Sequence, residues 1–352
     1  MIFAAAKSSI SKPYKSDSLV DASGILVNEE ILAIAYDQSP YVSAFPFNSL
    51  VGFGTRYANP ATLPAYISNA VAFSPDKTAV AVAHNNTPFI TAYSWTGEFD
   101  TKYSNPATLP ASNGNGVAFS PAGTEIAVAH STTPFISTYP WSSSGFGTKF
   151  SNPATLPAST GNAVAFTQNE IVIAHATSPY VTTYPWSSSG FGTKYSNPTT
   201  LPTGTGNGIA ATPTSIFMAV AHSTSPYISA YYIISGSWTK YGNPVTLPTG
   251  TGRGVAFDSG PNNIIVAHSI SPYVSAYPFS GGFGTKYADP TTLPTGTGYS
   301  AAFNRAGTLV AIGHATSPYI SVYPFANGLG TKYANPKTAD QLSGTGNGVA
   351  FR

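Results

Sequence analysis

Hydrophobic and small residues alternate in short stretches throughout this chain. One stretch reads Ile126-Ala127-Val128-Ala129-His130, with a branched side chain at every second position and alanine between them. A Val-Ala-Phe stretch at 117–119 precedes it, and the turn-forming residues 120–124 separate the two. A period of two places successive side chains on opposite faces of a β-strand, so these stretches predict strands rather than helices.

The whole pattern recurs seven times. Its clearest marker is a proline that follows Ser or Thr and precedes an aromatic residue, at Pro40, Pro88, Pro134, Pro179, Pro226, Pro272 and Pro318. Successive markers lie 48, 46, 45, 47, 46 and 46 residues apart, which is close to the length of a four-stranded propeller blade. We therefore predict an all-β fold, a seven-bladed β-propeller of four-stranded antiparallel blades.

Two more strands are expected in each repeat. Residues 135–141 place aromatic and hydroxyl side chains on one face and Ile and Thr on the other, which predicts the third strand. Residues 147–150, and 192–195 in the next repeat, are predicted to form the outer strand. Lys149 and Lys194 there would discourage pairing with the edge of another sheet.

The two ends of the chain compete for one place in the ring. The innermost strand occurs once too often for seven blades if residues 24–27 and Val349-Ala350-Phe351 both count. We expect 349–351 to close the ring beside residues 31–36, because closure removes exposed sheet edges. Residues 1–23 then form an N-terminal arm and residues 24–352 the propeller; in the alternative, residues 24–27 take the place.

Charge and composition narrow the partners. Charged residues make up 8% of the chain, the net charge is +2, and there is no cysteine. Without a dense Lys/Arg stripe to neutralise phosphates, we expect no nucleic-acid partner. No apolar run reaches 18 residues, and the N-terminus is too short before its first charge for a secretory signal, so we expect a soluble protein without membrane insertion.

Nine residues are candidates for a binding ring. Six histidines occupy one repeat position, and three tryptophans follow the third strand: His84, His130, His175, His222, His268, His314, Trp95, Trp141 and Trp186. Equivalent positions in different blades are too far apart for one metal ion, so we expect no metal site. The imidazoles either hydrogen-bond the Ser/Thr-rich turn that follows or line repeated pockets, and the indoles either pack between blades or stack on a ligand.

Catalytic machinery is not evident in the sequence. The 13 acidic residues do not recur in register, so no pair of carboxylates can be nominated, and there is no nucleophile elbow, P-loop or Cys/His metal box. We expect a protein that is not an enzyme and that uses no cofactor.

Two resemblances extend this interpretation. Val-Ala-Phe-Ser-Pro-Asp-Lys at 71–77 and Val-Ala-Phe-Ser-Pro-Ala-Gly at 117–123 resemble the first strand and turn of WD-repeat propellers, although the Trp-Asp and Gly-His pairs of that family are missing. With its near-identical repeats and sequences such as Ser-Pro-Tyr-Ile-Ser-Ala-Tyr at 225–231, the chain is similar to propeller-repeat proteins of tailed bacteriophages.

The second resemblance implies a function. It implies a virion protein that decorates the capsid or tail or attaches to the host surface, bound to other virion proteins through the N-terminal arm, with host-surface glycan as a further partner. The virion is then its location, with a secreted or cytoplasmic soluble protein as the alternative. The alternative function is a multivalent carbohydrate-binding lectin.

Overall fold

The computed structural model describes residues 30–213, 217–234 and 236–352. These residues form 26 β-strands and one 3-10 turn at Thr338–Asp340. The strands make seven separate antiparallel sheets, arranged as the blades of a propeller ring. The predicted fold class is confirmed.

The strands of each blade run in order from the channel at the axis to the rim. Blade 1 contains β26 (Gly346–Phe351), β1 (Glu30–Tyr36), β2 (Val42–Asn48) and β3 (Gly52–Phe53), and blade 2 contains β4 (Ser68–Phe73), β5 (Ala79–His84), β6 (Ile90–Trp95) and β7 (Phe99–Lys102). Blade 3 contains β8 (Gly114–Phe119), β9 (Glu125–His130), β10 (Ile136–Ser142) and β11 (Gly145–Phe146), and blade 4 contains β12 (Gly161–Phe166), β13 (Glu170–His175), β14 (Val181–Ser187) and β15 (Gly190–Phe191). Blade 5 contains β16 (Gly206–Ala211), β17 (Phe217–His222), β18 (Ile228–Ile234) and β19 (Ser237–Lys240), blade 6 contains β20 (Gly252–Phe257), β21 (Asn263–His268) and β22 (Val274–Pro278), and blade 7 contains β23 (Gly298–Phe303), β24 (Leu309–His314) and β25 (Ile320–Pro324). In blades 6 and 7 the fourth strand is reduced to the single bridges Phe279↔Phe283 and Phe325↔Leu329.

The C-terminal strand closes the ring. β26 pairs antiparallel with β1, placing Val349 opposite Ile34 and Phe351 opposite Leu32. Blade 1 is therefore built from both ends of the sequence, as predicted. The competing segment 24–27 and the arm 1–23 lie outside the described residues.

The outer strand differs from the prediction. In blades 3 and 4 it is β11 and β15, two residues each, rather than 147–150 and 192–195. Pro140 explains the difference, because it has no N–H to donate and can only accept, from the Gly147 N–H at 2.8 Å. The segment after β11 still follows β10, since the Phe150 N–H donates to the Thr138 carbonyl at 3.0 Å, but a regular ladder cannot form.

The alternation along each second strand fits the blades together. In β5 the valines Val80 and Val82 pack against blade 1, whereas the alanines between them pack against Ile126 and Val128 of blade 3. A face of branched side chains thus meets a face of methyl groups at each junction. All six residues of β5 are buried, so the core of the molecule lies between the blades.

Buried tyrosines fasten the long loops between blades. The hydroxyl of Tyr139 in β10 donates to the Thr108 carbonyl at 2.8 Å, in the loop that enters blade 3 from blade 2. Equivalent hydrogen bonds join Tyr93 to Thr62, Tyr184 to Thr155, Tyr231 to Thr200, Tyr277 to Thr246 and Tyr323 to Thr292. Burial raises the pKa of Tyr139, so its hydroxyl stays a donor.

The closing strand should carry a large share of the stability. Val349→Asp places a carboxylate on a position that is 8% exposed, and we expect it to lower the free energy of unfolding by about 2 kcal/mol or more. The same change at Val245, which is 99% exposed, should alter it by less than about 0.5 kcal/mol. Urea denaturation measures both values, and equal losses would contradict closure through β26.

Candidate functional site

The first strands of the seven blades line a central channel. Five of them carry an asparagine at their second position, and its carboxamide reaches the next blade. In blade 3, for example, Asn115 Nδ2 donates to the Gly161 carbonyl of blade 4 at 2.8 Å. The same bond starts from Asn69, Asn162, Asn207 and Asn347, at 2.8 to 3.0 Å. We call these five bonds the asparagine belt.

Two neighbouring blades break the belt. Arg253 in blade 6 and Tyr299 in blade 7 stand where the other blades carry asparagine. The guanidinium carbon of Arg253 lies 4.8 Å from the centre of the Tyr299 ring, a cation–π contact. Arg253 Nε is buried without a hydrogen-bond partner among the described residues.

The channel therefore combines a polar wall with one fixed positive charge. It encloses about 190 Å³, which is roughly six times the volume of one water molecule in the liquid. Among the described residues that line it there is no Asp, Glu or His, and Arg253 is the one permanently charged side chain. Carboxamide groups can orient hydroxyl groups or a water molecule, while the guanidinium can bind an anion or a developing negative charge.

Other cavities offer less. At the end of the channel away from the asparagine belt lies a cavity of about 330 Å³ between blades 5, 6 and 7, lined by residues that include Asp258 and Arg305. The Asp258 carboxylate is already used by its own turn, where it accepts from the Asn262 N–H at 2.8 Å and from Asn263 Nδ2 at 2.7 Å. A wider groove of about 750 Å³ lies at the rim, where Lys194 donates to Asn197 Oδ1 at 2.6 Å.

The six histidines lie inside the blades. Each has 0% exposure, and its Nε2 shares a hydrogen bond of 2.9 to 3.1 Å with the Ser or Thr hydroxyl seven residues later, on the adjacent strand. In blade 1, Tyr36 takes this place and its hydroxyl lies 2.9 Å from Ser43 Oγ. The geometry supports the structural alternative of the sequence analysis. A ligand on the surface of the described disc has no direct access to the ring His84, His130, His175, His222, His268 and His314.

The three tryptophans are also buried. Trp95, Trp141 and Trp186 are 2%, 6% and 8% exposed and lie within or at the end of the third strand. Their rings make edge-to-face contacts with the outer strand at 5.0 to 5.1 Å, for example Trp141 with Phe146. Trp141 also meets Tyr103 of the preceding blade at 5.0 Å. The indoles therefore pack between blades, which is the first of the two alternatives left open by the sequence.

Arg253 and Tyr299 are not among the residues predicted from the repeat pattern. A signal was present, because both residues interrupt a position that is otherwise asparagine before Gly-Val-Ala-Phe or a close variant. Residues that depart from the repeat at this position mark a site better than residues that recur in every blade.

Within the described ranges, no three His, Cys, Asp or Glu side chains come together to hold a metal ion. No helix in the described part of the chain is long and apolar enough to cross a membrane.

Comparison with known proteins shows the fold. No family model matches this chain, and no curated protein matches it. A protein of unknown function from Desulfotomaculum acetoxidans is similar in structure, with a TM-score of 0.68, 14% identity, and coverage of 91% of this chain and 98% of the other. A candidate 6-phosphogluconolactonase from Bacteroides uniformis is similar with a TM-score of 0.69 and 15% identity, and the match covers 92% of this chain and 99% of the other. The periplasmic gluconolactonase of Pseudomonas aeruginosa has a TM-score of 0.67 and 11% identity, and the match covers 92% of this chain and 99% of the other.

These neighbours correct one expectation. The names of the last two assign lactone hydrolysis to proteins of this fold, which overturns the expectation of a chain that is not an enzyme. That expectation relied on identical blades leaving no unique site, and Arg253 with Tyr299 makes blades 6 and 7 different. The seven-bladed propeller is confirmed, whereas the comparisons do not show a membership in the WD-repeat family or a link to bacteriophage proteins.

Burial of the histidines should make stability depend on pH. Burial lowers the pKa of His130, His175, His222, His268 and His314 to about 4 and lowers that of His84, whereas an unfolded histidine titrates near 6.5. Below pH 6.5 the unfolded chain binds protons that the folded chain excludes. The free energy of unfolding should therefore fall as the pH falls from 6.5 towards 4, and should be fully retained above 6.5.

Urea denaturation at pH 7.5, 6 and 5 measures this dependence. Each pKa unit corresponds to about 1.4 kcal/mol for each histidine. His268→Tyr, which copies the Tyr36 arrangement of blade 1, should reduce the slope while keeping the stability at pH 7.5. A stability that stays constant from pH 7.5 to 5 would contradict the buried, neutral imidazoles.

Proposed function

We propose that this chain is a hydrolase of sugar lactones whose substrate binds in the central channel. The observation that carries the proposal is Arg253, a positive charge in a channel otherwise lined by carboxamide, aliphatic, glycine and hydroxyl-bearing residues. The support from comparison is the naming of two structural neighbours as lactonases, at 15% and 11% identity.

The chemistry suits the residues that are present. A water oxygen attacks the lactone carbonyl carbon, the ring C–O bond breaks, and the ring oxygen takes a proton to become a hydroxyl group. The other product group is a carboxylate, so one proton passes to solvent for each turnover at neutral pH. Arg253 stabilises the negative charge that develops on the carbonyl oxygen, and a positive charge in a confined site acts more strongly than it would in water.

The remaining channel residues orient the reactants. The Nδ2 groups of the asparagine belt donate to backbone carbonyls, so the carboxamide oxygens are acceptors for the attacking water and for sugar hydroxyls. Tyr299 supports the guanidinium through its ring. A channel of about 190 Å³ limits the substrate to roughly a single sugar ring.

The attachment role stays a prediction. Residues 1–23, which would bind other virion proteins, lie outside the described residues, and the described residues do not bear on a virion location. The alternative of a multivalent carbohydrate-binding lectin likewise stays a prediction. The channel proposal depends on neither.

Hydrolysis of 6-phosphoglucono-1,5-lactone and glucono-1,5-lactone tests the proposal, with proton release followed in weak buffer and corrected for spontaneous hydrolysis. The Arg253→Asn variant restores the residue of five other blades and should fold. We expect it to lose about 10²- to 10³-fold in kcat, the usual effect of removing one group that stabilises the oxyanion.

Lys337→Asn is the matched control, because it removes an exposed positive charge outside the channel. Its rate should equal that of the unchanged chain. If the unchanged chain does not exceed the buffer rate with either lactone, the proposal is wrong. If Arg253→Asn keeps the full rate, the reaction does not take place in the channel.

A further inference from the structure

One face of the disc presents a ring of half-buried aromatic residues. They follow the seven Ser/Thr-Pro steps and are Tyr41, Phe89, Phe135, Tyr180, Tyr227, Tyr273 and Tyr319. All seven have φ between 67° and 70°, a region that disfavours any residue with a Cβ and is most easily occupied by glycine. The turn uses the backbone of this residue, as when the His130 N–H donates to the Phe135 carbonyl at 3.0 Å. The aromatic ring makes contacts of its own, and that of Tyr319 packs against the core between blades 7 and 1.

At one junction a second aromatic residue joins this ring. Tyr66 lies in the loop that enters blade 2, and its ring centre is 6.0 Å from that of Tyr41 in blade 1, with a tilt of 50° between the planes. Tyr66 is 43% exposed and is the one large aromatic side chain classed as exposed among the described residues. The two rings together form an open, angled aromatic surface.

Tyr66 stands where blades 3 and 4 carry a serine that fastens the loop. At the same loop position stand Ser112 and Ser159, whose Oγ atoms accept from the Thr132 and Thr177 N–H groups at 2.9 Å. Those bonds fasten each loop to the turn of its own blade. Tyr66 instead contacts the turn of the preceding blade, which exchanges a fastening hydrogen bond for an exposed ring.

The chain segments that carry the pair and its neighbouring turn are uncharged. Residues 38–42, 63–70 and 85–89 contain no Asp, Glu, Lys, Arg or His. Asp37, just outside them, has its carboxylate engaged by the Thr345 N–H at 2.8 Å. Carboxamides lie close by, since Asn69 Nδ2 donates to Asn85 Oδ1 at 3.0 Å.

This combination matches the chemistry of a neutral sugar. The C–H face of a pyranose packs on an aromatic ring, and its hydroxyl groups bond carboxamides and hydroxyls without needing a charge. We propose that Tyr41 and Tyr66 form a saccharide-binding subsite for one neutral pyranose unit, on the face where the first strands enter the channel. Asn69, three residues after Tyr66, already lines that channel.

Isothermal titration with maltohexaose, cellohexaose and mannohexaose tests the subsite. At least one should bind with one site per chain, because Tyr66 occurs in one loop although Tyr41 has six counterparts. Tyr66→Ser, which copies blades 3 and 4, should weaken that binding about tenfold, while Tyr66→Phe should keep it within a factor of about three.

The two proposals can fail separately. Arg253→Asn should leave saccharide binding unchanged, and Tyr66→Ser should leave lactone hydrolysis unchanged. Because Tyr66 is exposed, Tyr66→Ser should also keep the thermal unfolding midpoint, which excludes misfolding as the cause of lost binding. No binding of any of the three hexasaccharides, seven sites per chain, or equal binding by Tyr66→Ser would overturn the subsite.

Discussion

The close approach of the seven inner strands around the axis is the constraint on which the rest of the molecule depends. Among the described strands, neighbouring blades share no pairing, so side chains must satisfy the polar groups that face the axis. The asparagine belt does this, while glycine allows the approach: a Cβ on Gly116 would lie 2.9 Å from Ala163 Cα in the next blade. A functional group at the axis must therefore take the place of an asparagine, as Arg253 and Tyr299 do.

The sequence was sufficient for the scaffold because the scaffold is periodic. Alternating Val80 and Val82 with alanine specifies both the strand and the two unlike faces that meet at each junction. The closing strand followed from counting repeats, since closure removes an edge. The outer strand was misplaced by two residues because Pro140 limits a ladder that a hydrophobic pattern alone would permit.

The candidate site was harder to predict, for a physical reason. Histidine at the end of a strand and tryptophan beside a loop are equally compatible with burial and with exposure, and the difference lies in how blades stack. Trp141 is covered by Tyr103 of the preceding blade, a contact between residues 38 positions apart (141 − 103) that no local pattern encodes. Arg253 and Tyr66 are informative because each departs from a repeat whose other copies show what the fold alone requires.

Closure by the C-terminal strand also bears on how the disc is made. Ile34 pairs with Val349, 315 positions later (349 − 34), so β1 has an open inner edge while the intervening blades are synthesised. During translation the nascent ring is an open arc whose first blade lacks its axial strand. Until β26 leaves the ribosome, that edge is a template on which strands of neighbouring nascent chains could pair.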